Sequence, residues 1–164
     1  MKQVSIPSGA NLTALYRELA GDYPKFFKMD TLSKLGFLLT EMLVGEEADR
    51  FRPREDRAVL VFSREGCVAN DCHYQDSMAD FPSPGLFVYT LPNIVSGEIA
   101  IRNKYAGETS AYVLEKYDQK LVDALVRQAF QDSVTTSAIV IWADCPRDDA
   151  WEARGWLVKR EDLG

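Results

Sequence analysis

The stretch Phe81 to Leu114 reads FPSPGLFVYTLPNIVSGEIAIRNKYAGETSAYVL, and the rest of the chain is arranged around it. A loop marked by Pro82, Pro84 and Gly85 leads into Phe87 to Leu91. Pro92 then stands where a first helical turn tolerates a missing N–H and a fixed φ, and Asn93 to Arg102 places Ile94, Val95, Ile99 and Ala100 at near-helical spacing. Gly107 closes the connection. Thr109 to Leu114 is rich enough in β-formers to be a strand that runs into a helix.

Upstream of this unit, Lys2 to Pro7 reads as a short first strand in which Val4 and Ile6 alternate. Asn11 is the N-cap of a helix over Leu12 to Ala20, with Leu12, Leu15, Tyr16 and Leu19 on one face and Gly21 at its end. Tyr23 to Met29 crowds Tyr23, Phe26 and Phe27 into one turn, a cluster that reads as core or subunit contact rather than a ligand platform. Asp30 caps the clearest helix, whose Leu32, Leu35, Gly36, Leu39, Met42 and Leu43 share a face, and Gly45 is expected to end it in a left-handed conformation. Arg50, Arg52, Arg54 and Arg57 then alternate with Glu46, Glu47, Asp49, Glu55 and Asp56, the pattern of a solvated linker. Ala58 to Ser63, AVLVFS, is a short apolar run of the kind a central parallel strand carries.

Downstream, Lys116 to Asp132 is expected to be a helix with an apolar stripe of Tyr117, Leu121, Leu125 and Ala129, supported by Val122 and Ala124. Charges cover the remainder, so one side alone is packed. Ser137 to Ala143 is a second continuous apolar strand that Cys145-Pro146 breaks, and Arg147 to Arg154 is a polar connection. Gly155 to Arg160 returns as a short antiparallel edge strand with charge at its end. Five strands alternating with helices give a three-layer α/β domain over residues 1 to 164.

The chain's 164 residues are those of one domain, long enough to bury about 70% of the surface its unfolded form exposes. A net charge of −6, from 19 basic and 25 acidic residues, offers no footprint for nucleic acid. No apolar run approaches the length of a membrane span, and Met1 to Gly9 lacks a leader pattern, so the expected location is the cytoplasm, with no membrane association. Three irregularly spaced cysteines read as reduced thiols.

Cys67, Cys72 and His73, with Asp71 and Asp76 beside them, are the one group that suggests a metal or a nucleophile. A structural zinc takes four ligands from two paired knuckles, and the sequence has no second knuckle, so neither metal nor cofactor is expected. A Cys/His dyad is opposed by adjacency, because neighbouring residues rarely present both side chains to one substrate. The plainer reading makes Asp71 to Met78 a short helix covering the strand ends over a buried thiol or two.

The runs Pro84-Gly85-Leu86-Phe87, Tyr89-Thr90-Leu91-Pro92-Asn93 and Gly97-Glu98-Ile99-Ala100-Ile101, with Gly107 before the strand, resemble the amino-terminal half of the β-ketoacyl synthases. These are thiolase-fold condensing enzymes of fatty-acid and polyketide assembly, and the resemblance extends more faintly from Met29 to Asp144. It implies half of a thiolase-like fold: a five-stranded mixed sheet in the order 3-2-1-4-5, the fifth strand antiparallel, with helices on both faces. It also implies a nucleophilic cysteine at the start of the helix after Leu114, where this chain reads Leu114-Glu115-Lys116-Tyr117. Glu115 and Lys116 therefore mark the place of a lost nucleophile. The family's further histidines have no counterpart in a chain with one histidine. The implied protein is a non-catalytic accessory or structural partner in such a pathway; the alternative is an acyl-thioester-binding protein or an enzyme with another nucleophile among Cys67, Cys72 and His73. The implied dimer interface is the edge strand Thr109, Ser110, Ala111, Tyr112, Val113 and Leu114, paired with a second copy or with a full-length ketosynthase. Acyl carrier protein is a further implied partner; being acidic, it needs a basic patch such as the arginine run.

Overall fold

All seven residues of β2 (Arg57–Ser63) are buried, and the sheet is built outward from them. The computed structural model describes residues 1–164. β2 pairs in parallel with β3 (Thr109–Val113) on one side and with β4 (Ser137–Arg147) on the other. β5 (Ala150–Lys159) returns antiparallel beside β4, and β1 (Lys2–Ile6) pairs antiparallel with β5. From one edge to the other the order is β3-β2-β4-β5-β1, a mixed five-stranded sheet with helices on both faces. The class, the edge position of β3 and the antiparallel fifth strand are as the sequence implied.

The place of β1 is not. It was expected between the second and fourth strands and instead occupies the far edge, with Lys2 opposite Leu157 and Ile6 opposite Ala153. The apolar runs of β2 and β4 pair directly, Val59 with Ile139 and Val61 with Ile141, and each is covered on both faces. β1 buries Ile6 alone, which suits a strand with one neighbour. Gly155 to Arg160 is consequently no exposed edge.

The hairpin also departs from expectation. β4 is 11 residues long and continues through Cys145 and Pro146, with a register shift between Asp144 and Arg147. Proline lacks the donor a regular ladder uses, and the irregularity accommodates it. What reads as a polar connection is therefore mostly strand, and only Asp148 and Asp149 turn the chain.

One face carries the larger core, 25 buried residues beneath α1 (Leu12–Leu19), α2 (Thr31–Val44) and α5 (Ile94–Asn103). Asp30 caps α2 by accepting from Ser33 N at 3.0 Å, and Asn11 caps α1 from Ala14 N at 3.0 Å. Gly155 lets α2 lie close on β5, since a Cβ there would come within 3.2 Å of Leu43 and 3.3 Å of Leu39. Gly45 keeps right-handed dihedrals, φ −56°, and the left-handed helix end belongs to Lys104 after α5, φ 59°. Phe26 is fully buried and stacks on Tyr16, centroids 4.2 Å apart, so the aromatic turn serves the core.

The other face carries α6 (Gln119–Ala129) over a core of 11 buried residues. The helix starts three residues later than expected and is turned by one position, burying Val122, Val126 and Ala129 while Leu121 faces solvent. Between α2 and β2 the arginine run is not a free linker. Arg50 is buried and forms a two-pronged pair with Glu41, while Arg57, also buried, donates to Ser137 Oγ and Tyr105 OH at 3.0 Å and to both oxygens of Glu47. Arg50 and Arg57 thus complement groups on α2 and β4 and Arg54 pairs with Asp56 inside the run, while Glu46, Asp49, Arg52 and Glu55 stay exposed as a solvated segment would leave them. α3 (Val68–Ser77) and α4 (Pro84–Val88) follow the carboxyl end of β2, where the Asp144 carboxylate accepts from Arg64 N and Glu65 N at 3.1 and 2.8 Å.

Candidate functional site

β3 has a partner on one side only. Leu114 N donates to Ser63 O at 2.8 Å and Val59 N to Glu108 O at 2.8 Å, so the strand is fastened to β2 at both ends while its outer edge stays open. Tyr112 lies against Phe62, rings parallel within 15° and 5.0 Å apart. Thr109 and Val113 are exposed, and Ser110, Ala111, Tyr112 and Leu114 are partly buried. No charged side chain interrupts the run.

The turn after β3 spans Leu114 to Tyr117, with Glu115 and Lys116 in solvent and two residues short of the helix cap. Glu115 and Lys116 thus stand in the turn rather than on the first turn of α6, as a later helix start requires. That start is already occupied: the Asp118 carboxylate accepts from Lys120 N at 2.9 Å and Leu121 N at 3.2 Å. A helix N-terminus depresses a thiol pKa by offering these N–H groups and the dipole to a thiolate. Here a carboxylate takes them.

Tyr117, by contrast, is built in. Its ring meets Trp142 edge-on at 5.1 Å and lies parallel to Trp156 at 6.4 Å, with the Arg154 guanidinium 4.5 Å from its centre. Burial pushes the phenol up, and Arg154 opposes that shift. Arg154 donates to Glu152 Oε1 at 2.5 Å, while its Nε–H and the buried Trp142 Nε1–H have no hydrogen-bond partner. Tyr117, Arg154 and Trp156 border a cleft of about 430 Å³ between α6 and the outer strands, floored by Val140 and Val158 and walled by Val122 and Val126. Tyr117 and Trp156 lie 39 positions apart, and the lining runs from Met1 to Leu163, so nothing local announces the cleft. The i, i+2 spacing of Glu152, Arg154 and Trp156 on one strand face is the only hint.

The cysteines and the histidine do not form one centre. Cys67 and Cys145 are buried in the larger core, and burial pushes both thiols up to about 12, away from the range a nucleophile needs. Cys145 donates to Arg147 O at 3.1 Å. Cys72 is exposed on α3, and His73 Nε2 is paired with Asp148, which also accepts from Thr31 Oγ1 at 2.5 Å. No group of three or more metal-ligating side chains occurs. Alkylation of the native protein is expected to modify Cys72 alone, and Cys67 and Cys145 only after unfolding. Mass-resolved labelling checks this, and fast native reaction at Cys67 or Cys145 would contradict it. The same shifts fix a pH effect: both thiols hold their protons more tightly folded than at the ordinary value of 9.0, so stability is full below pH 9 and falls as pH rises toward 12.

No family model matches the sequence, and no curated protein matches it. Solved structures do match. A ketosynthase, ApeO, in complex with its chain length factor, ApeC, from Xenorhabdus doucetiae is similar at TM-score 0.67 and 14% identity, over 97% of this chain and 77% of that one. The ishigamide ketosynthase/chain length factor is similar at TM-score 0.74 and 18% identity, over 95% of this chain and 49% of that one. The chain has a ketosynthase-like fold. It spans about half the length of the ishigamide neighbour. No helix is long and apolar enough to cross a membrane.

Proposed function

We propose that this chain is a non-catalytic, ketosynthase-like accessory subunit of fatty-acid or polyketide assembly that pairs with another chain through the open edge of β3. The observation that carries the reading is the junction of that edge with a helix start that holds no thiol. Leu114 to Tyr117 contains no cysteine, Asp118 consumes the N–H groups that would activate one, and Cys67 and Cys145 lie buried elsewhere with raised pKa. The similarity to ketosynthase/chain length factor assemblies supports a paired, accessory role. An edge strand without charge is a template for a second strand and is normally covered. With Arg50 and Arg57 held in internal pairs and Arg54 paired with Asp56, the arginine run leaves Arg52 alone to meet an acidic carrier protein, which favours carrier docking on the partner.

Sedimentation velocity of the protein, alone and co-expressed with a ketosynthase chain, tests the pairing. Val113→Lys is expected to dissociate the pair; Val113 is exposed in the single chain, and such surface changes cost within about 0.5 kcal/mol of stability. A wild-type profile that stays monomeric at high micromolar concentration in both settings would reject the reading.

The cleft beside Tyr117 favours a second reading, an acyl-thioester-binding protein. Its size is that of a small-molecule site, and its apolar floor ends at Arg154, whose Nε–H has no acceptor. Titration of tryptophan fluorescence with a short-chain acyl-pantetheine thioester decides it. Saturable quenching that Trp156→Ala removes supports it, and a flat titration rejects it.

A further inference from the structure

We infer that the α3–α4 surface is the docking face for a partner whose apolar contact residues are rimmed by lysine or arginine, so that the chain paired with β3 is a different protein and not a second copy. This rests on the β3 pairing proposed above and names the partner's chemistry. The surface is apolar and bare: Met78 is 51% exposed, Phe81 78%, Phe87 50%, Leu91 46% and Val113 58%. Isolated exposed leucines are ordinary, but several large apolar side chains brought together mark an interaction site. The structure does bring them together. Phe87 packs on Tyr74 of α3 at 5.5 Å, Asn70 of α3 donates to Leu86 O at 2.8 Å, and Phe81 N donates to Ser77 O at 3.1 Å. Pro92, next to Leu91, and Val113, the last residue of β3, both come within 4 Å of the Cβ position of Gly66, at 3.6 and 3.8 Å. The surface is thereby continuous with the end of the open strand, and a chain laid along β3 reaches it.

Its charge selects the occupant. From Glu65 to Ile101 the sequence holds five carboxylates and no lysine or arginine, and Arg64 just before them is held by Glu65 at 3.0 Å and Asp144 at 3.3 Å. Of these, Asp71, Asp76 and Asp80 are exposed along α3 and the loop after it, whereas Glu98 is buried and paired with Lys25. An apolar contact rimmed by one sign of charge favours a partner rimmed by the other and repels its own kind. A second copy, at net charge −6 and with the same acidic rim, is the disfavoured occupant.

Two synthetic amphipathic helices with one shared leucine stripe, one carrying lysine on its polar face and the other glutamate, probe the surface by fluorescence anisotropy. The wild-type protein is expected to bind the lysine peptide about tenfold or more tightly than the glutamate peptide, with the difference shrinking at high salt. The combined variant Asp71→Lys, Asp76→Lys, Asp80→Lys reverses the order, and Phe81→Ser with Phe87→Ser weakens both. Equal binding of the two peptides, or a preference that survives the charge reversal, overturns the inference. So does a wild-type homodimer that the lysine variant leaves unchanged. Ala111→Pro, which disturbs only the strand edge, separates the two proposals: peptide discrimination is kept in that variant, while co-expressed ketosynthase is lost. A ketosynthase bound equally well by Ala111→Pro tells against the β3 pairing and leaves the peptide result standing.

Discussion

Arg50→Ala is expected to lower the stability of the fold by about 3–5 kcal/mol, because it leaves a buried carboxylate without its main partner. Arg50 and Glu41 expose 8% and 1% of their side chains, and the guanidinium meets both carboxylate oxygens while its Nε–H donates to Asn103 Oδ1 at 2.9 Å. Asn103 in turn donates to Ile99 O at 2.9 Å, so the same cation fixes the end of α5 to the end of α2. With Arg50 gone, Glu41 keeps only Arg102 at 3.3 Å. Set against a typical domain stability of about 5–15 kcal/mol, this is a large share. Arg50→Lys should recover little, since an ammonium does not reproduce the fork. Glu41→Leu with Arg50→Met should be far milder than either single change, because a buried ion pair replaced by apolar packing is often neutral. Urea unfolding reads all three. A wild-type midpoint for Arg50→Ala would mean that the pair contributes nothing.

That pair shows where the sequence stops being informative. The helices were legible because their signals are local: Asn11 and Asp30 precede apolar periodicity, and both cap as expected. β2 was legible from the continuous run AVLVFS, and β3 from its place after Gly107, where a Cβ would meet Arg57 O at 2.4 Å. Pairing is a different matter. Val4 and Ile6 announce a strand without naming its neighbour, and the place of β1 is set by ladders to residues some 150 positions away. Burial of charge is equally non-local. Glu46 to Arg57 alternates in sign like a solvated segment, and only Glu41, the single acid in α2 and set among apolar neighbours, hinted that an arginine had to come inside. Pro146 suggested a break, yet a register shift lets β4 run past it. At the functional end, the missing cysteine was visible in Leu114 to Tyr117, but the carboxylate in its stead was not, because it depended on α6 starting at Gln119. The cleft of Tyr117, Arg154 and Trp156 exists only once β5 lies beneath that turn.

Phe62→Ala is expected to cost about 3–5 kcal/mol as well, through the cavity it opens, and its second effect bears on function. Phe62 is fully buried on β2, in register with Tyr112 on β3 and Trp142 on β4. Because β3 has no outer neighbour, the parallel stack of Phe62 on Tyr112 at 5.0 Å is its principal ring contact on the α6 side of the sheet. Removing the ring leaves β3 to its backbone bonds with β2, whereas β4 remains supported by β5. Hydrogen exchange should therefore accelerate more at the amides of β3 than at those of β4, and any chain paired at the β3 edge should dissociate faster. Val59→Ala, on the opposite face of the same strand, serves as the comparison, since it thins the larger core without touching Tyr112. Equal acceleration of β3 in both variants would mean that general loss of stability, and not the Tyr112 contact, governs the edge. A selective effect of Phe62→Ala would tie the order of the open strand to a single ring beneath it.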